Sequence, residues 1–157
     1  MSHASRPAAV LVAIAVCAAL IPATARSQAA PAKQVVVPPG VTPSATLSPG
    51  IRHGDVLYVS GQLGTSRDAP DSTIQGQTRR ALDNVRAVVE AAGSSMSNVL
   101  KCTVFLVNVA DFAGMNQAYT QVFTKEPPTR STVAVAALVS PSAKVEIECI
   151  AALPRGG

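Results

Sequence analysis

The order of apolar patterns predicts a mixed α/β (α+β) domain of the form β-β-α-β-α-β-β, with two helices on one face of a mixed sheet. Three observations carry this reading. Strand-like runs rich in β-branched residues recur at 56–60, 99–107, 132–138 and 144–152. The stretches 72–92 and 111–123 instead space their apolar residues at helical intervals. With one helix in each half, both pack on the same side and the other face stays uncovered. The simplest cover for it is another copy of the same chain.

Each element has its own signal. Residues 26–46 are rich in Pro, Ala and Val without a usable period, and read as an extended tail with room for an edge strand at 34–37. Residues 51–55 form a short strand entering a Gly-Asp turn, and Val56 to Ser60 a buried strand ended by Gly61. Residues 62–70 are loop. Ser72 and Gln75 have capping-box spacing. Ile74, Ala81, Leu82, Val85, Val88, Val89 and Ala92 then make one helical face, with Gly93 as the stop. After the strand at 99–107, Asp111 caps a shorter helix with an apolar face of Phe112, Met115, Tyr119, Val122 and Phe123. Pro127-Pro128 ends it. The last two runs, split by Ser-Pro-Ser, read as a closing hairpin. Alternation in the second puts Glu146 and Glu148 on one face.

The N-terminus reads as a cleaved export leader over residues 1–25, which places the mature chain in the periplasm or outside the cell. Arg6 precedes an apolar run at 8–21, and Ala23-Thr24-Ala25 has the small-x-small pattern of a processing site. The run is shorter than the roughly 20 residues a membrane-spanning helix needs, so no membrane attachment is expected after cleavage. The remaining 132 residues carry 12 basic and 9 acidic groups. That charge of about +3 is scattered and has no aromatic residues among it, which argues against nucleic acid as a partner. Cys102 and Cys149 lie in apolar strands and are expected to be reduced, small buried residues. In an oxidising compartment they could instead pair.

Elimination narrows the chemistry. His53 is the one histidine left after leader removal, and no G-x-S-x-G elbow accompanies it. It reads as a turn residue. His53, Cys102 and Cys149 lack the close spacing of zinc ligands, and no phosphate-binding glycine loop occurs. No metal or organic cofactor is expected. What remains is Arg130 just past a rigid double proline, the strand-borne Glu146 and Glu148, and Asn116, Ser60, Gly61 and Thr132. Taken alone, these residues also suit a solvated loop, a solvated strand face and an ordinary helix surface. A fixed cation and a carboxylate within one hairpin would suit a small-molecule site.

A longer pattern runs through the chain. It comprises Gly54-Asp55-Val56-Leu57-Tyr58-Val59-Ser60-Gly61-Gln62, Gln77, Leu82-Asp83-Asn84-Val85 and Ala91-Ala92-Gly93. It continues with Val104-Phe105, Asp111-Phe112, Asn116, Tyr119, Pro128-Thr129-Arg130-Ser131 and Lys144-Val145-Glu146-Ile147-Glu148. Over residues 47–153 this resembles the Rid (YjgF) family of enamine/imine deaminases. The resemblance implies a chorismate-mutase-like fold, a homotrimer with sites between subunits, and hydrolysis of 2-imino acids to 2-oxo acids and ammonia. It implies that Arg130 holds the substrate carboxylate, that Glu146 positions the water, and that Ser60, Gly61 and Asn116 line the pocket. Two positions depart from the family's deaminases. Leu47 stands where they often carry an aromatic residue, and Thr132 lines the pocket where they often carry cysteine. A non-catalytic binder of small carboxylates, or a chaperone-like trimer, would be the alternative on the same fold.

Overall fold

A computed structural model describes residues 31–65 and 71–154; the leader expected at 1–25 lies outside the described residues. The strands are β1 (Gln34–Val36), β2 (Gly50–His53), β3 (Val56–Leu63), β4 (Val99–Leu106), β5 (Thr129–Ala134) and β6 (Val145–Ala152). The helices are α1 (Ile74–Ala91) and α2 (Phe112–Val122). One sheet has the order β1-β2-β3-β6-β4-β5, with β4 and β5 parallel and every other neighbour antiparallel. Parallel strands need a crossover, and α2 supplies it.

The closing hairpin does not form. β6 leaves the chain end of β5 and inserts between β3 and β4, while among the described residues β5 pairs only with β4, at the sheet edge. The burial pattern explains the choice. β6 buries Val145, Ile147, Cys149 and Ala151 on one face, whereas no residue of β5 is fully buried. The more apolar strand takes the centre, where both backbone edges are paired.

Both helices pack on that buried face. Leu82, Val85 and Val89 of α1, with Met115 and Tyr119 of α2, meet Leu57, Val104 and Ile147 of the sheet. Among the described residues the opposite face carries no helix, and Tyr58 and Val133 stand nearly half exposed. Gln77 ties α1 to the loop before β6. Its amide donates to the Asp71 and Ser142 carbonyls and its oxygen accepts from the Lys144 backbone NH. Burying Gln77 is tolerable because its polar atoms are satisfied.

The caps differ in detail from their signals. Thr73, one residue beyond Ser72, caps α1 by accepting from the Gly76 NH, and Asp71 in turn accepts from Thr73. At the other end Gly93 adopts φ 79°, with Gly93 NH bonded to Glu90 and Ser94 NH to Val89. That pair of bonds is a Schellman motif, and it needs the left-handed backbone glycine allows. Asp111 precedes α2 without a side-chain capping bond, and Phe112 is substantially exposed rather than part of the core.

Cys102 and Cys149 form a disulfide, contrary to the expectation of two reduced thiols. They are register partners on β4 and β6, with Cα atoms 4.1 Å apart. Each strand by itself shows only a buried cysteine. The insertion of β6 beside β4 puts the two opposite each other, well within the roughly 7 Å a bridge allows.

A candidate active site in two halves

The first half is built on Arg130. Across β4–β5 it pairs with Cys102, a fully buried residue on the helix side, and its own side chain also points toward α2. There a helical stripe receives it. Arg130 Nη2 donates to Asn116 Oδ1 at 2.7 Å, and Nη1 lies 3.8 Å from Met115 Sδ. The guanidinium carbon sits 4.5 Å from the Tyr119 ring centroid and 5.9 Å from that of Phe112. Residues 112, 115, 116 and 119 follow the i, i+3, i+4, i+7 spacing of one helix face, so α2 holds the guanidinium from one side. Among the described residues no carboxylate pairs with Arg130, so its charge remains available to an anion. An arginine fork can take a carboxylate by two parallel bonds.

Two hydroxyls in this half, Tyr119 Oη and Thr132 Oγ1, are buried without a hydrogen-bond partner among the described residues. Thr132 shares a strand face with Arg130 two residues earlier. Burial pushes the Tyr119 phenol up to about 12, partly offset by the nearby Arg130 charge.

The second half is built on Glu146. Because Val145 and Ile147 face the helices, Glu146 and Glu148 project from the uncovered side of β6. Opposite Glu146 the β3–β6 ladder is irregular between Val59 and Gln62. This bulge carries Ser60 and Gly61. A Cβ on residue 61 would fall 1.9 Å from Glu146 Oε1, so only glycine lets the carboxylate lie against this backbone. Ser60 Oγ donates to the Pro49 carbonyl at 3.1 Å.

The structure therefore groups the expected residues into two sets. Arg130, Asn116 and Thr132 belong to the helix side; Ser60, Gly61 and Glu146 belong to the bulge and the open face. Within one chain Arg130 and Glu146 face opposite sides of the sheet, so the single-hairpin site is not what forms. Asn116 contacts the arginine directly, which makes it a positioning residue for Arg130. Sequence reasoning placed Tyr119 in the core and missed its ring as a platform; the spacing with Asn116 was the available signal.

A small α+β sheet protein with an unneutralised arginine on one face and a glycine-backed carboxylate on the other is a narrow class. A family model described as Endoribonuclease L-PSP matches residues 39–153. The chain belongs to that family, also called Rid or YjgF. A 2-iminobutanoate/2-iminopropanoate deaminase of Dermatophagoides farinae is 35% identical over 123 residues, covering 76% of this chain and 95% of that one. The crystal structure of Escherichia coli TdcF with bound serine is 34% identical at a TM-score of 0.68, covering 77% of this chain and 99% of that chain. A RidA from an Antarctic Psychrobacter is 31% identical at 0.70, covering 76% and 99%. The fold is thus the chorismate-mutase-like one of these neighbours.

Proposed function

We propose that this chain is a hydrolase of 2-imino acids, yielding 2-oxo acids and ammonia, and that it works as a homotrimer whose sites combine the two halves from neighbouring copies. The observation that carries this reading is the segregation of Arg130 and Glu146 onto opposite sheet faces. Neither half suffices for hydrolysis, and a second copy laid on the uncovered face can complete both.

The chemistry follows from the residues. Arg130, aimed by Asn116 and Tyr119, takes the substrate carboxylate and so places the imine carbon. Glu146 accepts a proton from a water as the water oxygen bonds to that carbon, and the imine nitrogen takes up a proton. The tetrahedral carbinolamine then expels ammonia as its hydroxyl proton leaves, and the C=O of the oxo acid forms. An imine is electrophilic enough for a positioned water and one base to serve. No step calls for a metal or organic cofactor.

The apolar leader and the Cys102–Cys149 bridge both support export to an oxidising compartment. There, amino-acid oxidases or dehydrogenases would supply the imines. N-terminal sequencing of the exported protein is expected to begin at Arg26, and a soluble product retaining residues 1–25 would remove the export reading.

The function is tested by generating an imine with an amino-acid oxidase and trapping what survives with semicarbazide. Added protein should reduce semicarbazone formation, and Glu146→Gln should abolish that reduction. The Arg130 half-site alone also favours a second reading, a binder of small carboxylates. Arg130-dependent binding of 2-oxo acids without any acceleration of imine hydrolysis would decide for it.

A further inference from the structure

A polar hollow on α1 belongs to neither half of the candidate active site. It has a volume of about 450 Å³ and is lined by Gly76, Arg79, Arg80, Asp83 and Asn84, with Asp71 just ahead of the helix. The five helical positions follow the i, i+3, i+4, i+7, i+8 spacing of one face. Leu82, Val85 and Val89 turn a different face to the sheet, and Arg79, Asp83 and Asn84 are exposed. A Cβ on residue 76 would collide with Asp71 Oδ2, so glycine is what lets that carboxylate lie over the helix.

The charges in the hollow are not paired with one another. Thr73 donates its hydroxyl and its backbone NH to Asp71 Oδ1, and Arg86 pairs with Asp83 Oδ1. Among the described residues the two Oδ2 atoms accept no hydrogen bond, and neither Arg79 nor Arg80 donates one or joins an ion pair. Arg80 Nε is buried without a partner among the same residues, an arrangement that calls for an acceptor from outside the chain. The Thr73 bonds, and after them the charges of Arg79 and Arg80, hold the Asp71 carboxyl below the usual carboxylate range, so it is ionised at neutral pH.

We infer that this hollow binds the zwitterion of a free α-amino acid, its carboxylate on Arg79 and Arg80 and its ammonium on Asp71 and Asp83. The lining charges sum to zero, two guanidiniums against two carboxylates. A polyanion entering here would meet both carboxylates, and a simple amine would meet both guanidiniums. A ligand with one charge of each sign on neighbouring atoms satisfies both pairs. Guanidinium forks suit its carboxylate, and an ammonium has three donors for the free Oδ2 atoms. The volume falls within the range of small-molecule sites. The site shares no residue with the Arg130 or Glu146 half, so it stands independently of the imino-acid reading.

Calorimetry with L-alanine on Arg130→Ala protein tests the site with the other carboxylate anchor removed. One L-alanine is expected per chain. Pyruvate lacks the ammonium and ethylamine lacks the carboxylate, so each should bind at least about tenfold more weakly, the scale of a lost charge-assisted hydrogen bond. Adding Arg79→Gln should weaken L-alanine by a similar factor. Adding Asp83→Asn should weaken L-alanine without weakening pyruvate. Both positions are exposed, so neither change should lower the melting temperature, and lost binding then reads the site rather than the fold. In wild-type protein L-alanine should also shift the backbone amide resonances of Gly76 and Asn84. Pyruvate binding as tightly as L-alanine overturns the zwitterion assignment. Failure to bind L-alanine, binding indifferent to both variants, or unmoved Gly76 and Asn84 resonances overturns the site itself.

Discussion

The guanidinium carbon of Arg130 lies 4.5 Å from the centroid of the Tyr119 ring, while the Tyr119 hydroxyl makes no hydrogen bond among the described residues. The ring and the hydroxyl thus do separable things. The ring steadies the cation; the hydroxyl only carries the cost of its burial.

Substitution at Tyr119 should split accordingly. Tyr119→Phe keeps the platform and is expected to leave 2-oxo acid affinity and KM near wild type. Tyr119→Leu removes a cation–π contact of about 0.5–2 kcal/mol, so affinity should fall about 2- to 30-fold with a smaller effect on kcat. Equal losses in both variants would contradict the platform role.

Tyr119 also predicts a pH dependence. Its folded pKa of about 12 exceeds the ordinary value of 10 because burial disfavours the phenolate. Between these values the unfolded chain has lost a proton that the folded chain keeps. Stability from this group is therefore present below pH 10 and declines as pH rises toward 12. Thermal melts in that window should show a decline that is reduced in Tyr119→Phe. At neutral pH the same variant should be as stable as wild type or more so, because it removes an unpartnered buried hydroxyl.

Gly61→Ala is expected to be tolerated by the fold but not by the chemistry. The atom it would strike is the end of the flexible Glu146 side chain, which can swing away. Circular dichroism melts should change little, while turnover of imines falls at least about tenfold, as for a displaced general base. Binding of 2-oxo acids through Arg130 should persist. Unchanged turnover would mean that Glu146 does not work from this position.

A mixing experiment reads the assignment of halves to different copies. Arg130→Ala and Glu146→Gln should each be inactive. Co-refolded in equal amounts, they should regain activity at about one quarter of the sites, since each site draws one residue from each of two copies. Inactivity of the mixture at wild-type oligomer mass would argue that both residues serve a site from the same chain.

The disulfide closes a long loop, with its cysteines 47 positions apart. Loop-closure entropy for that length is worth about 4 kcal/mol. Cys102→Ser/Cys149→Ser should therefore lower Tm by at least about 10 °C. Mass spectrometry should show a gain of two hydrogens when the denatured wild type is reduced. A native protein already at the reduced mass would remove the bridge.

Patterns confined to one element were readable from the chain. The α1 face and its Gly93 stop appear as written, because spacing and left-handed backbone are local properties. Pairing was not. The alternation in Val145 to Cys149 says which residues share a face, but not which strand lies alongside. That gap produced both the expected hairpin and the expected thiols. It also made Arg130 and Glu146, sixteen residues apart, look like partners on one surface. Tyr119 was hidden for a different reason: the spacing that seats a residue in the core equally seats a ring beneath an arginine.

Asn116, Tyr119, Arg130, Thr132 and Glu146 all lie between the two bridged cysteines. A protease that cuts the exposed turn between β5 and β6 would break the main chain yet release no fragment. The anchor strand and the carboxylate strand would stay tethered through sulfur, and the sheet could hold its register across the nick. Cleaved protein should run as one band without reductant and as two with it. A chain bridged in this way can be cut without being dismantled.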